Sequence, residues 1–310
     1  MRLAFAGTPA AALPTLDALL KSRHEVAAVI SRPDARAGRG QLLAPSRVTR
    51  RAAEAGVEVL RPERPGDPAF LDRLREIAPD CCPVVAYGAL LPQSALGIPQ
   101  YGWVNLHFSV LPAWRGAAPV PHAILHGDDV TGATTFRIVR ELDAGPVFGV
   151  LTEPIRPSDT AGDLLERLST AGADLMMATL DGIESGELEA REQPPDGVSL
   201  APKVTPADAR VDWRTPAMAV DRLIRACTPV PGAWTELDGV RLKLWPVTLA
   251  RTDAGSLATG EVDALPDRVL VGTGTVPVVL GDVQPDGKRR MAAADWARGV
   301  RLGGRPAVLG

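Results

Sequence analysis

Asn105 and His107 stand two residues apart in the stretch Val104-Asn105-Leu106-His107-Phe108-Ser109-Val110-Leu111-Pro112. If this stretch is a strand, its period of two puts Asn105, His107 and Ser109 on one face and Leu106, Phe108 and Val110 on the other. Leu111-Pro112 is predicted to end the strand, because proline cannot donate to a ladder. A primary amide donates a fixed hydrogen bond, and an imidazole donates one when charged or carries a proton near neutrality. Side by side they suit the stabilisation of a negative oxygen developing at a carbonyl carbon. Such a polar face on an otherwise apolar strand is costly unless it meets a ligand or other polar groups. A lone Asn or His in this setting is more often satisfied inside the fold, so the pair alone does not decide the matter.

The next segments carry more. Gly127-Asp128-Asp129-Val130-Thr131-Gly132 leads through an apolar run to Glu141-Leu142-Asp143-Ala144-Gly145-Pro146, and Trp114-Arg115-Gly116-Ala117-Ala118-Pro119 follows the polar strand. With Asn105, His107 and the Ser109–Pro112 run, this composite resembles the signature of the formyltetrahydrofolate-dependent formyltransferases, in particular the branch acting on methionyl-tRNA. The resemblance implies transfer of a formyl group from 10-formyltetrahydrofolate to the α-amino group of methionine on initiator tRNA. It implies tetrahydrofolate and that tRNA as partners, and no metal. It gives Asn105, His107 and Asp143 the catalytic roles: the amide and a protonated ring hold the oxyanion, while Asp143 keeps His107 charged and takes or relays the amine proton. Folate binding falls to Ser109, Val110, Leu111 and Pro112, with Tyr87 and Gly88 beside an apolar slot for the pterin. Binding of tRNA falls to Arg39, in the Pro33–Pro45 loop, and to Lys203. Two departures are Gln41, where the family often has Lys, and Val110, where Leu is usual.

Other readings of the same residues are weaker. A hydrolase built on Ser109, His107 and Asp143 lacks a Gly-x-Ser-x-Gly elbow and would place its serine and histidine side by side on one strand. His122 and His126 share a helix face at a spacing that metals use, but no third ligand stands nearby in sequence. A formyltransferase for a sugar amine or another small amine would keep the fold and the donor. A tRNA-binding protein without catalysis would not need Asn105, His107 and Asp143 together.

The elements that must position these residues read as an α/β fold with a mostly parallel, Rossmann-like sheet, flanking helices and a C-terminal OB-like β-barrel. Strands are predicted at Leu3–Ala6, Val26–Ile30, Val57–Leu60 and Cys82–Ala86, with helices between them. Only Gly7 stands where a dinucleotide fingerprint needs three glycines. Thr134–Val139 and Phe148–Ile155 read as a hairpin, and Ala161–Ile183 as the longest helix. Gln193-Pro194-Pro195-Asp196-Gly197 has linker composition. Short alternating strands follow a helix at Pro216–Cys227 and suggest the small barrel. The expected division is a catalytic domain over 1–190, a linker over 191–204 and a tRNA-binding domain over 205–310. At 310 residues, two domains are the ordinary expectation.

The net charge of −3 argues weakly against nucleic acid, but the segment from Thr205 onward is net positive. Arg32, Arg36, Arg39, Arg47, Arg50 and Arg51 crowd a short span that contains one acid, Asp34. No apolar run reaches the roughly 18 residues of a membrane span, and no export signal is read at the start of the chain. Cys81, Cys82 and Cys227 have no metal spacing and fit a reducing compartment. A cytoplasmic monomer is expected.

Overall fold

The computed structural model describes residues 1–37, 42–250, 257–300 and 307–310, so Arg39 and Gln41 lie outside the described residues. The chain forms two compact units. One comprises Met1–Pro119, Val130–Pro154 and Leu165–Ala201, the other Val120–Asp129, Ile155–Leu164 and Pro202–Gly310.

The strands of the first unit are β1 (Arg2–Gly7), β2 (Glu25–Ile30), β3 (Ala35–Ala37), β4 (Leu42–Ala44), β5 (Glu58–Leu60), β6 (Cys82–Val85), β7 (Trp103–His107), β8 (Val130–Arg137) and β9 (Val147–Pro154). The helices are α1 (Leu13–Leu20), α2 (Arg47–Glu54), α3 (Pro68–Ile77), α4 (Gln93–Leu96), α5 (Pro119–His126) and α6 (Ala161–Ser185), the last two extending into the second unit. Seven strands make one sheet in the order β5-β2-β1-β6-β7-β8-β9. Pairing is parallel from β5 through β7 and antiparallel for β7–β8 and β8–β9. Leu3 to Ala6 are wholly buried, as an apolar run in a strand covered on both faces should be.

Helix starts follow capping chemistry. The Ser46 hydroxyl accepts from the Thr49 N–H at α2, and the Asp67 carboxylate accepts from the Ala69 N–H at α3, where Pro68 takes the first helical position. The strand order reverses between β1 and β6, which opens a crevice at their carboxyl ends, the usual ligand position in open α/β sheets. Three loops meet there. The Thr8 hydroxyl donates to the Tyr87 carbonyl and accepts from the Arg32 N–H, tying together the segments that follow β1, β2 and β6.

Two expectations need correction. The Pro33–Pro45 loop contains a two-stranded antiparallel ribbon, β3–β4, on either side of the undescribed residues. The polar strand stops at His107 and does not run on to Val110. Past it the chain folds on itself: Ser109 Oγ donates to the Ala113 carbonyl at 2.6 Å, and the Ala113 N–H to the Val110 carbonyl. The buried Thr134 hydroxyl donates to the Ser109 carbonyl and accepts from the Leu111 N–H. These local bonds outcompete a further ladder.

The second unit contains α7 (Ala217–Ala226), β10 (Trp234–Leu237), β11 (Val240–Leu244), β12 (Thr248–Leu249), β13 (Glu261–Ala264), β14 (Val269–Val271), β15 (Val278–Val279), β16 (Asp282–Pro285), β17 (Met291–Ala292), α8 (Ala293–Gly299) and β18 (Ala307–Val308). The strands form two antiparallel sheets, β10-β11-β16-β17 and β12-β15-β14-β13-β18, over one core that includes Trp213, Ile224, Leu242, Val271, Val283 and Trp296. This is an architecture consistent with an OB-like barrel, although among the described residues the two sheets are not joined into one closed ladder. Among the described residues no helix is long and apolar enough to cross a membrane.

Candidate active site

β7 places the central pair. Trp103, Asn105 and His107 share one face of the strand, and Leu106 on the other face packs under Gly172 of α6. Trp103 is fully buried and anchors the strand by donating its indole N–H to the Ala95 carbonyl. Asn105 and His107 thus occupy the last turn of a strand whose start is locked in the core. The Asn105 amide, half-buried, has no hydrogen-bond partner among the described residues. His107 is 6 % exposed, and its ring stands nearly perpendicular to that of Phe136.

His107 Nε2 lies 2.8 Å from the Trp114 carbonyl, which can only accept, so Nε2 carries a proton. Nδ1 faces Asp143 Oδ2 at 3.8 Å, beyond a direct hydrogen bond but close enough for one group lying beside the pair to reach both atoms. Burial lowers the pKa of His107, and it outweighs the opposing pull of Asp143 and of the Trp114 carbonyl. Burial therefore favours the neutral ring, where the sequence reading expected an imidazolium.

Asp143 sits at φ 48° in the turn after β8. Its Oδ2 accepts from the Gly116 N–H at 2.8 Å. Gly116 has φ 128°, and a Cβ there would come 2.6 Å from the Ala201 carbonyl oxygen. That carbonyl cannot retreat freely, because it accepts from the Ala118 N–H while the Ala201 N–H donates to the Arg115 carbonyl. The Trp114-Arg115-Gly116 motif is thus a backbone device for holding a carboxylate. Gly116→Ala is expected to cost about 1–3 kcal/mol in stability from strain. It should also lower kcat about tenfold or more as the N–H swings off Asp143. Thermal unfolding and steady-state kinetics on the same preparation check both.

The other predicted site residues are placed as follows. Ser109 is fully buried and its hydroxyl is used by Ala113, so it shapes the turn and presents no side chain outward. Leu111 is buried, while Val110 and Pro112 are half-buried on the same turn. Tyr87 is buried at the switch-point crevice, and Gly88, at φ 82°, is exposed beside it. Lys203 is exposed in the second unit. His122 and His126, the considered metal pair, donate to the Pro202 and His122 carbonyls and stack on each other. His24, Asp181 and Glu184 gather elsewhere in the first unit, where Arg23 already bonds both carboxylates at 2.7 Å. Burial pushes the Cys81 thiol up to about 12 and Cys227 up to about 11, so both pack as inert small hydrophobes.

Sequence reasoning missed several residues that build the site. Thr134 ties the Ser109–Leu111 turn to β8, and Gln193 and Ser199 reach it from the segment expected to be a linker. The Ser199 hydroxyl accepts from the Trp114 N–H, and the Arg191 backbone pairs with Val147.

Residues 1–180 match the family model described as formyl transferase, and residues 203–301 match that of the formyl transferase C-terminal domain. The chain belongs to the formyl transferase family. Within that family it is 68 % identical over 303 residues to the methionyl-tRNA formyltransferase of Thermobifida fusca (strain YX), covering 98 % of this chain and 97 % of the relative. It is 65 % identical over 303 residues to the methionyl-tRNA formyltransferase of Nocardioides sp. (strain ATCC BAA-499 / JS614), covering 97 % and 96 %. Among solved structures, HypX from Aquifex aeolicus in complex with tetrahydrofolic acid shares the fold, with a TM-score of 0.68 at 19 % identity over 97 % of this chain and 47 % of that one.

Proposed function

We propose that this formyl transferase moves a formyl group from 10-formyltetrahydrofolate to the α-amino group of methionyl initiator tRNA, giving N-formylmethionyl-tRNA for translation initiation. One observation carries the choice of acceptor: the match to relatives bearing that activity in their names runs through both units, at 68 % identity over 303 residues. The site supplies the chemistry.

The formyl donor is a substrate that needs an apolar crevice next to the reacting groups, and in this reading it lies at the carboxyl ends of the strands at the β1/β6 switch point. Exposed Gly88 leaves the backbone open there, and Leu90, 83 % exposed, stands on the same loop. Tyr87 and Gly88 line the pterin end in this reading. Val110, Leu111 and Pro112 contribute through backbone and apolar surface, with buried Ser109 holding their turn. The neutral amine of the acceptor attacks the formyl carbon, and its carbonyl oxygen becomes an oxyanion. The unpartnered Asn105 amide donates to that oxygen. Neutral His107 takes the amine proton on Nδ1, and Asp143 together with the Trp114 carbonyl stabilises the imidazolium so formed. The proton then passes to the departing folate nitrogen. No step calls on a metal.

Residues 1–190 carry the chemistry in this proposal, and the second domain, with Lys203 before it, holds the body of the tRNA. Arg39 and its flanking ribbon meet the acceptor arm. Exposed Arg47 and Arg50 on α2, and Arg210 and Arg241 over the Trp234 ring at 5.3 and 4.0 Å, are the cations that suit a phosphate backbone. A monomer in the cytoplasm, where charged initiator tRNA is used, is the proposed working state.

The test is a formyl-transfer assay across acceptors. Charged initiator tRNA should be formylated far faster than free methionine or a nucleotide-linked sugar amine. Transfer to a sugar amine with none to the tRNA would overturn the assignment and favour the small-amine branch of the fold.

A further inference from the structure

Asp143 is held from two directions, and both converge on Arg115. Its carboxylate is held by the N–H of Gly116, the residue after Arg115. Its backbone is held by Gln193, whose side-chain nitrogen donates to the Asp143 carbonyl at 2.8 Å and to the Gly145 carbonyl at 2.9 Å. Gln193 is held in turn by Arg115, whose Nε and Nη2 donate to its Oε1 at 3.2 and 2.6 Å. The Arg115 main chain is itself fixed, donating to Ser199 and accepting from Ala201. The result is a closed hydrogen-bonded ring running Asp143, Gln193, Arg115, Gly116 and back to Asp143. Every link lies within the first unit.

We propose that Gln193 is a positioning residue for the transfer reaction: its amide pins the Asp143 turn so that the carboxylate stands against His107. This rests on the function proposed above. The chemistry of the ring demands a primary amide. Two carbonyls must be answered by donors, and a guanidinium, which only donates, must be answered by an acceptor. Glutamine offers both from one planar group, with its orientation dictated by Arg115. Glutamate, of the same shape, would turn a lone pair toward two carbonyls and push the turn away. Otherwise the turn is held by its own backbone, the Ala144 N–H donating to the Glu141 carbonyl and the Arg137 N–H to the Pro146 carbonyl. Asp143 is in the left-handed region, and its neighbour Leu142 is exposed. The segment carrying Gln193 reads as a linker by composition, yet it completes the site.

The test uses the full-length enzyme with 10-formyltetrahydrofolate and charged initiator tRNA. Gln193→Glu and Gln193→Ala should each lower kcat about 10- to 100-fold, with KM for both substrates within about twofold of wild type. The double variant Gln193→Ala/Asp143→Asn should be no slower than Asp143→Asn alone, because Gln193 acts through Asp143. Arg115→Met, which frees the Gln193 amide to rotate, should give a partial loss that does not multiply with that of Gln193→Ala. The fourth measurement does not depend on turnover. NMR titration of the His107 ring should show its pKa lower in Gln193→Ala than in wild type, since a displaced carboxylate no longer supports the charged form. Unchanged kcat in both Gln193 variants, multiplicative losses in the double variant, or an unmoved His107 titration would each overturn the proposal. A wild-type enzyme that formylates no tRNA, with the titration shift present, would instead count against the reaction and leave the positioning role standing.

Discussion

Asp143→Asn is expected to lower kcat by about 10⁴-fold, the scale seen when the carboxylate behind a catalytic histidine is neutralised without a change of shape. KM for the folate donor and for the tRNA should stay within a few-fold. Asparagine keeps an oxygen for the Gly116 N–H, so the turn is preserved and the loss is one of charge. That same oxygen is the atom 3.8 Å from His107 Nδ1, so the variant keeps the contact and removes only the charge that would support a proton on Nδ1. The pH dependence follows from the state of the ring. Burial lowers the His107 pKa below its ordinary 6.5, and the neutral form is the active one. Activity should therefore fall as pH drops through that lowered pKa, a limb separate from that of the acceptor amine, whose ordinary pKa is about 7.7–8.0 and which must also be neutral to attack. In Asp143→Asn the supporting negative charge is gone, so the acid limb of the residual activity should move to still lower pH. Rate profiles from pH 5 to 8 on both proteins decide this. A loss under tenfold, or an acid limb that moves up, would show that Asp143 does not act through His107.

The parts of this molecule that were legible in its sequence are those where one residue's chemistry is set by its own element. The period of two in β7 puts Asn105 beside His107 whatever lies around it, and an apolar run such as Leu3–Ala6 can only be a covered strand. Ser46 and Asp67 announce their helices because a cap acts on residues two or three away. What sequence hid were interactions between distant segments. The end of β7 is set by Thr134, 25 residues beyond Ser109, whose hydroxyl competes with the ladder. The protonation of His107 turns on how deeply the ring is covered, which a motif cannot state. Gln193 sits in a run rich in proline and glycine and reads as a spacer. Its role exists only because the chain returns to Arg115 and the Asp143 turn, 78 and 50 residues earlier.

Asn105→Ala is the companion test, and it is the cleaner one because it separates catalysis from folding. Loss of a single oxyanion donor lowers kcat by about 10²–10³-fold, or about 3–4 kcal/mol of transition-state stabilisation. In the resting protein the Asn105 amide has no partner among the described residues, so alanine leaves no group there without its hydrogen bond. Stability should then change by no more than about 0.5 kcal/mol, unlike the usual outcome for a half-buried polar residue. Donor affinity should also hold, because the bond forms only once charge develops on the formyl oxygen. Asn105→Asp sharpens the result: a carboxylate in that place repels the oxyanion and should be slower than alanine, although it is nearer in shape to the native side chain. Equal activity of the two variants, or a KM that rises while kcat holds, would mean that the amide grips the ground state and that the oxyanion is held by another group.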